Sequence, residues 1–167
     1  TGTNSAVILA REGESTVLAR RGNQAPGLEP GVVFDHFGKP AINDAARVAF
    51  MAQVRGAGVT GANNRALFAM NNAGGFVPVV RTGDPYTLPD GSSKTIRRIT
   101  FQEESTMLGR TAYSAAGQIV FTLEFIDNAE AVVLAGIDCV SDFNDDGGID
   151  ADDIIDFFAA WDSGMNA

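Results

Sequence analysis

The sequence predicts a mainly β protein made of repeated four-stranded units, followed by a small calcium-binding loop and helix. Three observations lead to this prediction. Short runs of β-branched and aromatic residues alternate with clusters of Gly, Pro, Asn and Asp, as in strands joined by turns. These runs resemble one another along the chain. Residues 139–167 differ from the rest in charge and carry the spacing of calcium ligands.

The strand runs can be assigned in chain order. The first unit contains four of them, at residues 7–10, 15–19, 32–35 and 47–53. The second unit contains four more, at residues 66–70, 76–81, 98–102 and 117–125. Pro85, Pro89 and Gly91 interrupt the chain between the second and third of these runs. Since no helical pattern precedes Asp150, the body is expected to be all-β.

Self-similarity sets the length of the unit. Residues 1–10 correspond to 60–69 and return a third time at 128–135; likewise 18–22 correspond to 79–83, and 41–50 to 112–121. The apolar runs begin at residues 6, 66 and 131, so one unit is 60 to 65 residues long. We therefore predict a repeat domain over 1–138, with units near 6–65 and 66–130 and the start of a third at 131.

Units of four strands suit the blades of a β-propeller, while open stacked sheets or a twisted sandwich remain compatible. Two units and a fraction are fewer than the four to eight blades of a closed ring, so the chain is expected to be incomplete at both ends. Its start at Thr1, without Met or a signal peptide, suggests a mature, processed or excised segment.

The segment 42–50 resembles the tandem repeat of secreted bacterial proteins with an N-x-x-G-x-x-A-F pattern. Asn43, Ala49 and Phe50 match, and Ala46 stands where the family has Gly. The second copy keeps the Gly and the Phe, as Gly117 and Phe121. It has Ser114 in place of Asn and Val120 in place of Ala. An Asn followed by a small residue makes a tight turn into a strand, so the motif is structural rather than catalytic.

Acidity is confined to the C-terminal segment. Residues 139–167 contain eight Asp and no Lys or Arg, whereas residues 1–138 contain 13 acidic and 12 basic residues. The body lacks the basic stripe that would attract nucleic acid or anionic lipid. Its apolar runs are also far shorter than the roughly 20 residues of a membrane-spanning helix. The local acidity instead indicates a cation site.

Residues 142–153 have the spacing of an EF-hand calcium loop. Side-chain oxygens fall at its first, third, fifth, ninth and twelfth positions, and a backbone carbonyl at its seventh: Asp142, Asn144, Asp146, Asp150, Asp153 and, through its carbonyl, Gly148. Gly147 occupies the sixth position, where the loop turns sharply. The apolar residues that follow recur at helical spacing: Ile154, Phe157, Phe158 and Trp161. The sequence therefore predicts a Ca²⁺ site followed by one helix.

This loop and helix resemble one repeat of a dockerin domain, and residues 139–161 are similar to the dockerin-like anchoring modules of planctomycete surface proteins. Asp153 replaces the bidentate Glu of regulatory EF-hands, so a calmodulin-type sensor is not expected. The resemblance implies docking onto a cohesin-like protein or an envelope component. Only one of the usual two units is present, so 139–167 is half a module. Cys139 is either a disulfide partner for sequence elsewhere or a buried thiol.

No catalytic residue is assigned. The G-x-G-x-x-G at 56–61 precedes a strand rather than a helix, Asp35 and His36 lack a nucleophile motif, and Glu103 and Glu104 point to opposite sides of a strand. We predict a non-enzymatic protein, secreted or at the cell surface, attached through its calcium module. The alternative is an accessory, glycan-binding fragment of a carbohydrate-active enzyme. The scarcity of Tyr and Trp in the body, which holds only Tyr86 and Tyr113, disfavours it.

Overall fold

The computed structural model describes residues 4–101, 112–114, 116–137 and the single residue 155. The described residues between 6 and 136 contain ten strands, and none of them is helical. The strands are β1 Ala6–Arg11, β2 Glu14–Arg20, β3 Val33–Ile42, β4 Val48–Arg55, β5 Arg65–Met70, β6 Phe76–Arg81, β7 Pro85–Thr87, β8 Ser93–Thr100, β9 Gln118–Phe125 and β10 Glu130–Gly136. The predicted mainly β class is confirmed.

The strands form three antiparallel sheets. The first sheet is the hairpin β1-β2, the middle sheet has the order β3-β4-β5-β6, and the third sheet has the order β10-β9-β8-β7. One buried apolar cluster joins the first sheet to the middle sheet, and a second cluster joins the middle sheet to the third. The middle sheet thus buries both faces, and the described strands form a stack that does not close into a ring.

The hairpins β1-β2 and β5-β6 have the same register. Ala6 pairs with Arg20 as Ala66 pairs with Arg81, and both hairpins have a bulge one residue later in the chain, after Val7 and after Leu67. A bulge changes which face of a sheet each following side chain occupies, so its recurrence makes the positions that follow it equivalent in the two hairpins.

The connections that follow these hairpins are also equivalent. The amide nitrogen of Gly22 donates to the carbonyl of Phe34 at 2.8 Å, and that of Gly83 donates to the carbonyl of Ile96 at the same distance. Both glycines have positive φ, 88° and 85°. A Cβ on Gly83 would also lie 2.8 Å from the Cβ of Asn63, so a larger residue would not fit.

The turn that carries the N-x-x-G-x-x-A-F resemblance recurs as well. The Asn43 amide donates to the Arg47 carbonyl at 3.0 Å, and the Ser114 amide donates to the Gln118 carbonyl at 2.8 Å. In each turn the side-chain oxygen of the first residue accepts a second bond, from the Arg47 amide at 2.9 Å and from the Gln118 amide at 3.1 Å. The Asn43 side chain also donates to the Ser114 carbonyl at 2.8 Å, so the two turns contact each other.

The sheets are offset by half a unit from the repeats visible in the sequence. The runs that begin at residues 6, 66 and 131 lie in β1, β5 and β10. β1 and β2 form one sheet, whereas β3 and β4 pair with β5 and β6 of the next sequence unit. Each sequence unit therefore contributes strands to two sheets.

One strand was not predicted. The proline-containing segment Pro85–Thr87 forms β7 at the edge of the third sheet. Pro85 is the first residue of this strand, a position at which a missing amide hydrogen is tolerated. Pro85 thus begins a strand instead of interrupting the chain.

Candidate functional site

All six predicted calcium ligands lie outside the described residues: Asp142, Asn144, Asp146, Gly148, Asp150 and Asp153. Cys139 and the apolar helix positions 154, 157, 158 and 161 lie outside them too. Within the described part of the chain, no group of three or more His, Cys, Asp or Glu could hold a metal ion. The donor set of 142–153 is made entirely of oxygen, which fits a hard cation such as Ca²⁺, and the calcium site stays a prediction.

A groove lies where β3 and β4 of the middle sheet meet β8 of the third sheet. The register of β3 shifts between Phe37 and Pro40, and Gly38 lies so close to β4 that a Cβ there would be 3.2 Å from the Cβ of Met51. The resulting cavity has a volume of about 270 Å³. Its lining is His36, Phe37, Gly38, Met51, Ala52, Gln53, Arg65, Ile99, Thr100 and Phe101.

The described lining of the groove combines apolar and polar side chains. Its floor is apolar, and His36, Gln53, Arg65 and Thr100 can form hydrogen bonds at its rim. No carboxylate is among the described residues that line it. Its volume is slightly below the usual range of small-molecule pockets.

A charged cluster beside the groove fixes one end of β3. The guanidinium of Arg21 donates to the Asp35 carboxylate at 2.8 and 3.0 Å, the Arg55 Nε lies 3.3 Å from the same carboxylate, and the His36 Nδ1 lies 2.9 Å from its other oxygen. The hydrogen bond from Arg21 lowers the pKa of Asp35 below its ordinary value, and the bond to His36 acts in the same direction. Asp35 therefore links β3 to β4 and to the connection between β2 and β3.

A family model matches residues 1–137, described only as a family of unknown function, DUF7453. The chain belongs to the DUF7453 family. The match covers the whole stack of sheets in this DUF7453 chain. No curated protein and no solved structure matches the chain. Among the described residues, no helix is long and apolar enough to cross a membrane.

Two further acidic residues of this DUF7453 chain, Glu124 and Asp127, form ion pairs. Glu124 accepts from the Arg98 Nε at 2.7 Å and also contacts Arg97, and Asp127 contacts Lys94. The hydrogen bond from Lys94 lowers the pKa of Asp127. Glu103 and Glu104 lie outside the described residues. Basic residues of β8 thus hold both carboxylates in place.

Neither tyrosine of the DUF7453 body offers a flat exposed ring. Tyr113 is completely buried, its hydroxyl donates to the Met70 carbonyl at 2.5 Å, and the Arg47 guanidinium lies 5.6 Å from the centre of its ring. Tyr86 is partly buried, with its ring centre 6.2 Å from that of Phe125. These rings stabilise the core and cannot form the stacking platform of a glycan site.

Sequence reasoning did not identify the groove. Its lining comes from distant runs, and the register shift between Phe37 and Pro40 that opens it depends on how β3 pairs with β4. The one local signal is Gly38 within an otherwise β-forming run, since an isolated Gly in a strand marks a bulge or a close backbone approach.

Proposed function

We propose that this chain is a non-enzymatic, extracellular β-repeat protein that recognises a protein partner and is attached, through a calcium-dependent dockerin-like module, to a protein or to the cell envelope. The observation that carries the recognition part is the groove between the middle and third sheets. It is small, apolar at its floor and polar at its rim. Such a site accepts side chains of a partner held on a rigid scaffold.

The ion pairs of the body support a structural rather than a catalytic role. Asp35, Glu124 and Asp127 each contact at least one Lys or Arg. Asp84 has its pKa raised, chiefly because burial disfavours its charged form. It lines a cavity of about 500 Å³ together with Glu29 and Arg81. Its backbone follows the repeat, because its amide donates to the Arg81 carbonyl as the Asn23 amide donates to the Arg20 carbonyl.

The attachment part rests on residues 142–153. Ca²⁺ requires six to eight oxygen ligands, and this loop supplies carboxylate, amide and carbonyl oxygens at the EF-hand positions. In the absence of the cation, the clustered carboxylates repel one another and oppose the loop conformation. Calcium binding is therefore expected to order the segment.

The competing function is an accessory glycan-binding fragment of a secreted carbohydrate-active enzyme. Glycan platforms use exposed aromatic rings, most often Trp and Tyr. The buried Tyr113 and the packed Tyr86 leave the body without such a platform among its described residues. This favours a protein over a glycan as the partner.

Isothermal titration calorimetry with Ca²⁺ on the full chain tests the proposal. We expect saturable binding, with a Kd as weak as about 10⁻⁴–10⁻³ M if the loop behaves like other extracellular modules. Asp142→Ala combined with Asp146→Ala removes the first and fifth ligands and should abolish the binding heat. Asp44→Ala combined with Asp90→Ala removes two body carboxylates and should leave it unchanged. Equal heats for the wild type and the first double variant would contradict the calcium site.

A further inference from the structure

We propose that the exposed outer faces of the first and third sheets bind each other between copies of this chain, so that the protein associates head to tail through the same sheet-on-sheet contact that it forms within itself. We call the face of each sheet that lies toward the next sheet in chain order its forward face. The opposite surface is its rear face. Within the molecule, a forward face always packs on a rear face.

The middle sheet shows what a covered forward face contains. Ala49, Leu67 and Ala69 are each 0% exposed, because the rear face of the third sheet packs on them. That rear face presents Phe121, Leu123 and other alternate residues of β9. The contact is therefore an apolar forward face of small and aliphatic residues against an apolar rear face rich in larger side chains.

The third sheet presents the same forward face, and no other sheet of the described residues covers it. β9 and β10 pair as β4 and β5 do, and the turn equivalence places Val120 at the position of Ala49. By the same register, Val132 and Leu134 occupy the positions of Leu67 and Ala69. These residues are exposed to 44%, 77% and 63% respectively. Three aliphatic side chains on one face of a sheet form a surface of the kind that marks an interaction site.

The first sheet presents the matching rear face. Ile8 occupies the position of Phe68, since both follow the shared bulge, and Val17 pairs with Ile8 as Pro78 pairs with Phe68. Phe68 is fully buried against the first sheet, whereas Ile8 and Val17 are each 57% exposed. The rear face of the β1-β2 hairpin therefore carries exposed apolar residues whose equivalents in the middle sheet pack against the first sheet.

An ion pair indicates the same arrangement. In the contact between the first and middle sheets, the buried Arg81 donates to both oxygens of Glu29, which lies in the connection leaving the first sheet. Arg20 occupies the position of Arg81 in the first sheet, and it is exposed. The rear face of the first sheet thus presents an exposed cation at a position that is paired and buried one unit further along.

A second copy of this chain is the occupant that fits these faces. One molecule carries an exposed forward face and an exposed rear face, at opposite ends of its stack of sheets. The same kind of contact occurs twice between its own sheets. A forward face meeting a rear face is a heterologous contact, which leaves one free face of each kind after every addition. Association should therefore continue beyond the dimer instead of stopping there.

Sedimentation velocity of the full chain, over about a hundredfold range of concentration, tests this inference. The wild type should increase in mass beyond a dimer as concentration rises. Val132→Lys with Leu134→Lys blocks the forward face, and Ile8→Lys with Val17→Lys blocks the rear face, so each variant alone should be a monomer. Asp44→Lys, at an exposed turn, changes the net charge by the same amount and should associate like the wild type.

Mixing the two blocked variants gives the decisive result. Each retains the face that the other lacks, so the mixture should form a heterodimer and nothing larger, which also shows that both variants are folded. The results should be the same in Ca²⁺ and in EDTA, because the faces belong to the body. A monomeric wild type at every concentration, or a mixture that remains monomeric, would overturn the inference. Association of the rear-face variant alone would overturn it too, since it would indicate forward faces binding each other.

Discussion

At the scale of single residues, the two equivalent turns differ in how well their sequences suit the backbone. Both require a residue with positive φ before the following strand, and this residue is Ala46 at 60° in one turn and Gly117 at 74° in the other. Glycine adopts this conformation without steric cost, whereas alanine pays roughly 1–2 kcal/mol for the approach of its Cβ to the backbone. The first turn is therefore strained relative to the second.

Ala46→Gly should stabilise the protein by about 0.5–1 kcal/mol, because relief of the strain exceeds the added flexibility of the unfolded chain. Gly117→Ala should destabilise it by about 1 kcal/mol for the converse reason. Urea denaturation, read as a change in midpoint at constant slope, measures both effects. Ala45→Gly is the matched control, since Ala45 is exposed in the same turn with negative φ and should only lose stability.

The sequence predicted the residues of this turn but not its contact with the second turn. The N-x-x-G-x-x-A-F resemblance identified Asn43 and the glycine position, and Ala46 was seen as a departure. The bond from the Asn43 side chain to the Ser114 carbonyl, 71 residues away, was not predictable. It depends on two sheets packing, and local spacing does not describe packing.

At the scale of strands, β1 and β5 have the same register and different surroundings. The ring of Phe68 in β5 has ring centres of Phe34 and Phe50 at 5.1 and 5.9 Å, in a core between two sheets. Ile8 in β1 occupies the equivalent position and is exposed. Both strands were predicted from their apolar runs, but a run alone does not tell how many of its faces are covered. That depends on the order of the sheets in the stack.

Phe68→Ala should destabilise the protein by about 3–5 kcal/mol, because it leaves a cavity inside a well-packed core. Ile8→Ala should change stability by no more than about 0.5 kcal/mol, since its side chain is exposed in the monomer. Chemical denaturation at a protein concentration low enough to prevent association compares the two. If both variants lost the same stability, the placement of the middle sheet between the other two would be incorrect.

At the scale of the whole molecule, the stack should open from its ends. The first sheet is a single hairpin that is covered on one face, whereas β4 and β5 are hydrogen-bonded on both edges and covered on both faces. Sheets stacked in this way gain stability mainly from their nearest neighbours. The terminal hairpin should therefore open by local fluctuations that leave the middle sheet folded.

Native-state hydrogen exchange should show this difference. Hydrogen-bonded amides of β1 and β2 should exchange about tenfold faster, or more, than those of β4 and β5. The cross-strand bonds within each hairpin serve as internal comparisons, since the register is identical in β1-β2 and β5-β6. Uniform protection across the three sheets would instead indicate one cooperative unit.

Much of the architecture could be read from the sequence, and the assignment of strands to sheets could not. The runs at 6, 66 and 131 located three equivalent strands, and the correspondence of 18–22 with 79–83 matched two equivalent connections. The repeats look the same in the sequence whether a sheet begins at the first or at the third strand of a unit. Hydrogen bonds between strands decide which strands pair across a unit boundary. The half-unit offset therefore emerged only from the structure.

That offset has a consequence for how such a protein lengthens during evolution. A gene duplication whose boundaries fall in residues 56–64 inserts new sequence between β4 and β5, two strands of one sheet. The inserted copy completes the sheet upstream with its first strands and gives its last strands to the sheet downstream. Every added copy is thus joined to both neighbouring units by backbone hydrogen bonds. Recombination can extend the molecule by whole units without producing a domain on a flexible linker. The stack therefore becomes longer without becoming more flexible.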